Sequence, residues 1–294
     1  MSSREWEKVL WKKHPYPDNY IPHTFLSSLR KNTNFKPYTY WPLVLAACSI
    51  TQHLSTVFIF LATFIRIYDG SWDPRYLVWS SVAIFLLGYV IWEVLEYKTL
   101  GYLVKHADRA KTFKSSILVF LALMALSPVL RTLTAATSSD SIWALAACLF
   151  ILNVLLADYG SLRPYGHTRD RLTSVLSMNA AISSSVVLAS RLRDDLSVFA
   201  LILFSVQLFA LYPLVRTRLQ VTDAFTYASI TIFLPALSIY LHSSPTNIIT
   251  LILGIVLVFI TFVAPALLLW AQSYKNEIRG PWDVAVPQIN TADH

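Results

Sequence analysis

The run NIITLILGIVLVFITFVAPALLLWA, residues 247–271, decides the fold class. Its 25 residues pass without a charge, and about 20 mostly apolar residues are enough for a helix to cross a bilayer. Working outward, the same run length recurs at roughly 41–65, 75–95, 114–134, 141–158, 173–190, 196–215 and 224–241. Leu, Ile, Val, Ala and Phe dominate, with Ser and Thr scattered through. The ten-residue alternation of a membrane β-barrel is not seen. The predicted class is all-α: a polytopic integral membrane helical bundle of about eight transmembrane helices. Pro128 and Pro235 fall inside the third and seventh spans, where kinks are expected.

Composition agrees. Of 294 residues, 55% are hydrophobic and 14% charged, against about 25% charged in soluble domains. Mean hydropathy is +0.51. The seven glycines spell neither G-x-G-x-x-G nor G-x-x-x-x-G-K-[ST], so no glycine-rich phosphate cradle is present. A soluble nucleotide-binding enzyme, a disordered chain and a disulfide scaffold are disfavoured. Cys48 and Cys148 both fall inside spans, where a small buried side chain is the expected role.

Charge sets the orientation. Nineteen of the 24 Lys and Arg residues fall on one side of an eight-span threading, and five, Arg66, Arg75, Arg131, Arg191 and Arg193, on the other. Basic residues gather on the cytosolic side, so cytosolic N- and C-termini are predicted. The net charge of +7 is then mostly an orientation signal, matched to anionic lipid headgroups and not to nucleic acid. The first forty residues hold no apolar signal region, so the first span is expected to serve as its own targeting signal.

Three parts follow: a cytosolic segment 1–40, the spans over 41–271, and a cytosolic tail 272–294. In the first, Ser2 and Glu5 have capping-box spacing. Trp6, Val9, Leu10 and Lys13 then share one face of a short interfacial amphipathic helix. Trp6 and the stiff strip Tyr16, Pro17, Asp18, Asn19, Tyr20 read either as an interfacial anchor or as a docking site for a partner. In the tail, Trp282 follows a Gly280-Pro281 turn and reads as a further interfacial contact.

Polar residues inside spans mark sites more often than they do in water. They are Gln52, His53, Asn153, Asn179 and Gln207, with Asp158 at the cytosolic end of the fourth span, placed to pair with Arg163. Interhelical hydrogen bonding is the expected role of Asn153, Asn179 and Gln207. Glu93 and Glu96 sit one turn apart, as paired carboxylates for acid–base work would, but pairing to Lys98 or Lys105 is the favoured account. No catalytic set is recognisable. His53 has no His or Glu at i+4, so a two-histidine zinc motif is absent, and neither a metal nor a cofactor is called for.

Several blocks go beyond class. Trp6-Glu7-Lys8-Val9-Leu10-Trp11 running into Tyr16-Pro17-Asp18-Asn19-Tyr20 resembles the N-terminus of the PIG-C family. The likeness returns at Ser127-Pro128-Val129-Leu130-Arg131-Thr132-Leu133-Thr134, Asp158-Tyr159-Gly160, Leu176-Ser177-Met178-Asn179, Gln207-Leu208-Phe209-Ala210-Leu211-Tyr212-Pro213 and Gly280-Pro281-Trp282-Asp283. This resemblance implies a multi-pass protein of the endoplasmic reticulum membrane. It implies a subunit of the complex that transfers N-acetylglucosamine from UDP-N-acetylglucosamine to phosphatidylinositol, the first step of GPI-anchor biosynthesis. The glycosyltransferase fold would belong to a PIG-A type subunit, alongside PIG-H, PIG-P and PIG-Q types, and the PIG-C-like chain would be a non-catalytic scaffold. No catalytic residues carry over. Lys114, Asp158 and Arg163 are the candidates for holding the lipid headgroup. The alternatives are a lipid transporter or scramblase lined by Asn153, Asn179 and Gln207, and an enzyme acting at the interface through Asp158 or Glu93 and Glu96.

Overall fold

The computed structural model describes residues 37–100, 107–134, 136–159, 168–222, 224–243, 247–272 and 274. Among these, every regular element is helical: α1 Tyr40–Tyr68, α2 Pro74–Leu100, α3 Ala107–Thr132, α4 Ser139–Leu156, α5 Thr168–Ala189, α6 Asp195–Val206, α7 Tyr212–Thr222, α8 Ala224–His242, α9 Asn247–Val258 and α10 Ala264–Gln272. A π-helical turn, Gln207–Leu211, joins α6 to α7, and a second, Phe259–Val263, joins α9 to α10. Among the described residues, six helical stretches are long and apolar enough to cross a membrane. The segments expected at 173–190 and 224–241 coincide with shorter apolar helices, Val175–Ala189 and Thr226–His242.

Residues 40–266 form one compact unit. The described part of the second unit is 37–39, 267–272 and 274. Within it, the Tyr38 N–H donates to Gln272 Oε1 at 2.8 Å, and Trp270 meets Tyr274 edge-on at 4.9 Å.

In the larger unit α1 and α6 are the inner helices. The apolar window of α1 is 67% buried and that of α3 only 6%. Every residue from Ser197 to Ser205 is buried, because α2, α3 and α5 all pack on α6. On α1, Phe60 stacks obliquely on Phe150 of α4 at 5.7 Å and on Phe209 of the π turn at 5.5 Å. Offset ring pairs of this kind add about 0.5–1.5 kcal/mol beyond the area they bury. Ser and Thr are tolerated in α1 because their hydroxyls bond back one turn: Thr51 to Ala47 O, Ser55 to Thr51 O and Thr63 to Ile59 O.

Helix ends follow local chemistry. After α1 the Ser71 N–H reaches Arg66 O at 2.9 Å and the Gly70 N–H reaches Ile67 O at 3.1 Å. That pair of bonds needs a left-handed residue between them, and Gly70 takes φ +73°. Ser138 caps α4. Three of the five arginines that break the charge asymmetry hold helix ends. Arg66 donates to Leu241 O at 2.7 Å, Arg191 to Thr134 O and Thr137 O, and Arg131 to Arg193 O while pairing with Asp195 at 3.1 Å.

Pro128 and Pro235 lie inside α3 and α8. The two π turns precede other prolines. Tyr212 N–H bonds Gln207 O just before Pro213, and Ala264 N–H bonds Phe259 O just before Pro265. A proline ring collides with the carbonyl four residues back, and a widened turn relieves that collision.

Candidate functional site

A polar network fills the half of the larger unit where the start of α1, the end of α4 and α7 meet. It begins on α1, whose Ser49, Thr51, Gln52, His53 and Thr56 are all buried. A buried polar group without a partner is costly, and each of these finds one. His53 Nε2 and Asn153 Oδ1 on α4 lie 2.9 Å apart. The Asn153 amide donates onward to Ser177 O and Oγ on α5, and Ser177 Oγ returns a bond to Asn153 O. Gln52 Oε1 accepts from the Tyr212 hydroxyl at 2.8 Å, and its amide donates to Thr231 on α8. Thr51 and Thr261 hydroxyls meet at 2.8 Å.

At the centre lies Arg216, only 5% exposed. One terminal nitrogen donates to Ser49 O and the other to Asp158 O, each at 3.1 Å. Both partners are neutral main-chain carbonyls. Arg216 Nε and the buried Tyr227 hydroxyl meet no hydrogen-bond partner among the described residues. Next to Asp158, the Tyr159 ring stands edge-on to His53 at 5.8 Å and its hydroxyl donates to Val154 O at 2.7 Å. Burial pushes the Tyr159 phenol up to about 12, with the Arg216 charge pulling the other way, so it stays a donor at neutral pH. The arrangement is a buried cation ringed by donors and phenols at one end of a helical unit. It suits holding an anion or locking helices together.

The apolar runs 196–215 and 224–241 leave Arg216 in the loop between two spans. The structure places it inside α7, because the helix runs on through the π turn to Thr222. Tyr212 and Arg216 stand four residues apart and so share a face. That spacing, downstream of Gln207, was the available signal. Asn153 and Gln207 do bond between helices, the latter through Nε2 to Ser81 O at 2.9 Å. Asn179, in contrast, is exposed on α5, with no interhelical bond among the described residues.

Of the residues proposed for the headgroup, Asp158 is exposed just past α4 and Lys114 is exposed on α3. No hydrogen bond or ion pair joins those two among the described residues. Arg163 lies outside the described residues, as do Trp6, Tyr16, Pro17, Asp18, Asn19, Tyr20 and Trp282. Glu93 is half-buried near the end of α2, and the Glu96 side chain is outside the description.

Comparison with known proteins adds the following. The family model GPI2, described as phosphatidylinositol N-acetylglucosaminyltransferase, matches residues 6–283. A Schizosaccharomyces pombe protein named phosphatidylinositol N-acetylglucosaminyltransferase GPI2 subunit is 36% identical, over 97% of this chain and 88% of its own length. A Dictyostelium discoideum protein, named as a putative subunit of the same transferase, is 34% identical, over 96% of this chain and 79% of its own length. A human protein, also named as a subunit of that transferase, is 31% identical, over 96% of this chain and 92% of its own length. No solved structure matches the chain.

Proposed function

This chain belongs to the GPI2 family of phosphatidylinositol N-acetylglucosaminyltransferase, and from that premise we propose that it is a non-catalytic membrane subunit of the complex that makes N-acetylglucosaminyl-phosphatidylinositol. The carrying observation is similarity over nearly the whole chain to relatives named as subunits of that transferase. The chain crosses the endoplasmic reticulum membrane eight times with both termini cytosolic. It holds a PIG-A type catalytic subunit, with PIG-H, PIG-P and PIG-Q types, at the membrane. The strip Tyr16 to Tyr20 and Trp282 touch partners, and Lys114, Asp158 and Arg163 meet the lipid headgroup.

A tagged chain purified in mild detergent is expected to bring down N-acetylglucosamine transfer to phosphatidylinositol. That activity should disappear when a separate transferase is stripped away. Alanine at both Tyr16 and Tyr20 should weaken the association. Turnover by the isolated chain would overturn the non-catalytic reading. The transporter alternative would be favoured by lipid flipping in liposomes by this chain alone. Of its expected lining, Asn153 and Gln207 are engaged in bonds between helices, and Asn179 is exposed.

A further inference from the structure

Five amide- or imidazole-bearing residues lie inside the apolar runs, and one of them is set apart. Gln52, His53, Asn153 and Gln207 are buried, and each bonds to another helix. Asn179 is exposed on α5, and no hydrogen bond reaches its side chain among the described residues. One turn further on, Ser183 is likewise exposed, with no hydrogen bond to its hydroxyl among those residues. Its neighbours Ser184 and Ser185 are buried and donate to Ala146 O and Ala181 O.

Position on the helix explains the difference. Ser177, Ala181, Ser184, Ser185 and Leu188 make the buried side of α5, which packs on α4 and α6. Leu176, Asn179 and Ser183 stand at i, i+3 and i+7, so they share the opposite side, and all three are exposed. Depth matters as much as direction. The charged residues flanking this stretch in sequence are Arg171 and Arg191, eight and twelve residues from Asn179. Those spacings are about 12 and 18 Å along a helix, which places the amide deep in a hydrocarbon core about 30 Å thick.

A carboxamide that faces hydrocarbon is costly, because lipid tails offer it no hydrogen bond and water is absent. The ester and phosphate groups of lipids stay at the interface, out of its reach. A polar group at the right depth is carried by another helix. Ser183 and the half-buried Ala180 are small, so a second helix can approach closely enough for such a bond. We propose that this face of α5 seats a membrane helix of another subunit of the transferase complex, one whose own polar side chain bonds Asn179 at mid-membrane depth. This rests on the reading of the chain as a transferase subunit, which selects another subunit over a second copy. The interhelical bond expected of Asn179 is then made between chains, whereas those of Asn153 and Gln207 are made within one.

The test uses the tagged full chain purified with its complex in mild detergent, carrying a photoreactive amino acid at position 179 or, separately, at 183. Irradiation is expected to join the chain from both positions to one other subunit, identified by mass spectrometry. Asn179→Leu should cut retention of that subunit about three- to tenfold after a detergent wash, the range of an interhelical hydrogen bond in membranes. The unfolding temperature of the chain itself should hold. Asn179→Gln keeps the carboxamide and should recover most of the loss. Adducts with a second copy of this chain, or with lipid alone, would overturn the proposal. So would full retention of every subunit by Asn179→Leu. The crosslinks read the neighbour directly, so they decide the question even where Asn179→Leu disturbs folding. If the parent chain brings down no transferase activity, the subunit reading fails. If activity comes down and no adduct with another subunit forms, the seat on α5 alone fails.

Discussion

Asn153 is a polar residue that ties three helices together. It joins α4 to both α1 and α5 through His53 and Ser177, so removing its amide leaves His53 Nε2 unpartnered, while Ser177 Oγ keeps its bond to the residue-153 carbonyl. Replacing Asn153 with Leu is expected to lower unfolding stability by about 1–3 kcal/mol, the cost of one orphaned buried group. The exposed Asn179, changed in the same way, should stay within about 0.5 kcal/mol of the parent. Thermal unfolding of the two variants in the same detergent makes the comparison, and equal losses would sink it. Sequence reasoning found Asn153 and Gln207 because a polar side chain among apolar neighbours stands out. It could not separate Asn153 from Asn179, because run length says nothing about which face of a helix is covered. Arg216 was missed for a related reason: a basic residue near a span end reads as a loop anchor until the helix is seen to continue.

At the level of elements, six of the eight expected spans were legible as helices of spanning length among the described residues, because bilayer thickness imposes a run length. The π turns were not, because a one-residue change of helical phase leaves no mark on hydropathy. Prolines were visible, but Pro213 and Pro265 gave no sign that each follows a widened turn. The turn at Gln207–Leu211 takes up one residue locally, so the face of α7 is set independently of it. Deleting the exposed Leu211 together with Pro213→Ala should let the segment close to ordinary α geometry, leaving Tyr212 on Gln52 and Arg216 on Asp158. Deleting Leu201 from the fully buried α6 should turn both residues by about 100° and destroy the network. Size-exclusion profiles of the tagged chains in detergent are expected to be single and sharp for the first variant and aggregated for the second.

On the scale of the whole chain, the segregation of basic residues makes a prediction about sides. An Asn-x-Thr acceptor site built into the 134–140 turn should be glycosylated in the endoplasmic reticulum, and one built into 160–167 should not. The reverse pattern would invert the proposed topology. The burial pattern reaches further, into synthesis. The helix made first among those described, α1, is the one whose polar side chains depend on the rest. His53 is bonded 100 residues ahead, Gln52 is bonded 160 and 179 residues ahead, and Thr51 is bonded 210 ahead. Chains emerge at about 5–20 residues per second, so the Thr51 partner is made about 10–40 s after Thr51 itself. Until their own partners are made earlier in that interval, the histidine and the glutamine of α1 have nothing to answer them in lipid. A nascent chain of this kind has to remain sheltered in the insertion machinery, or beside a membrane chaperone, until its last helices arrive.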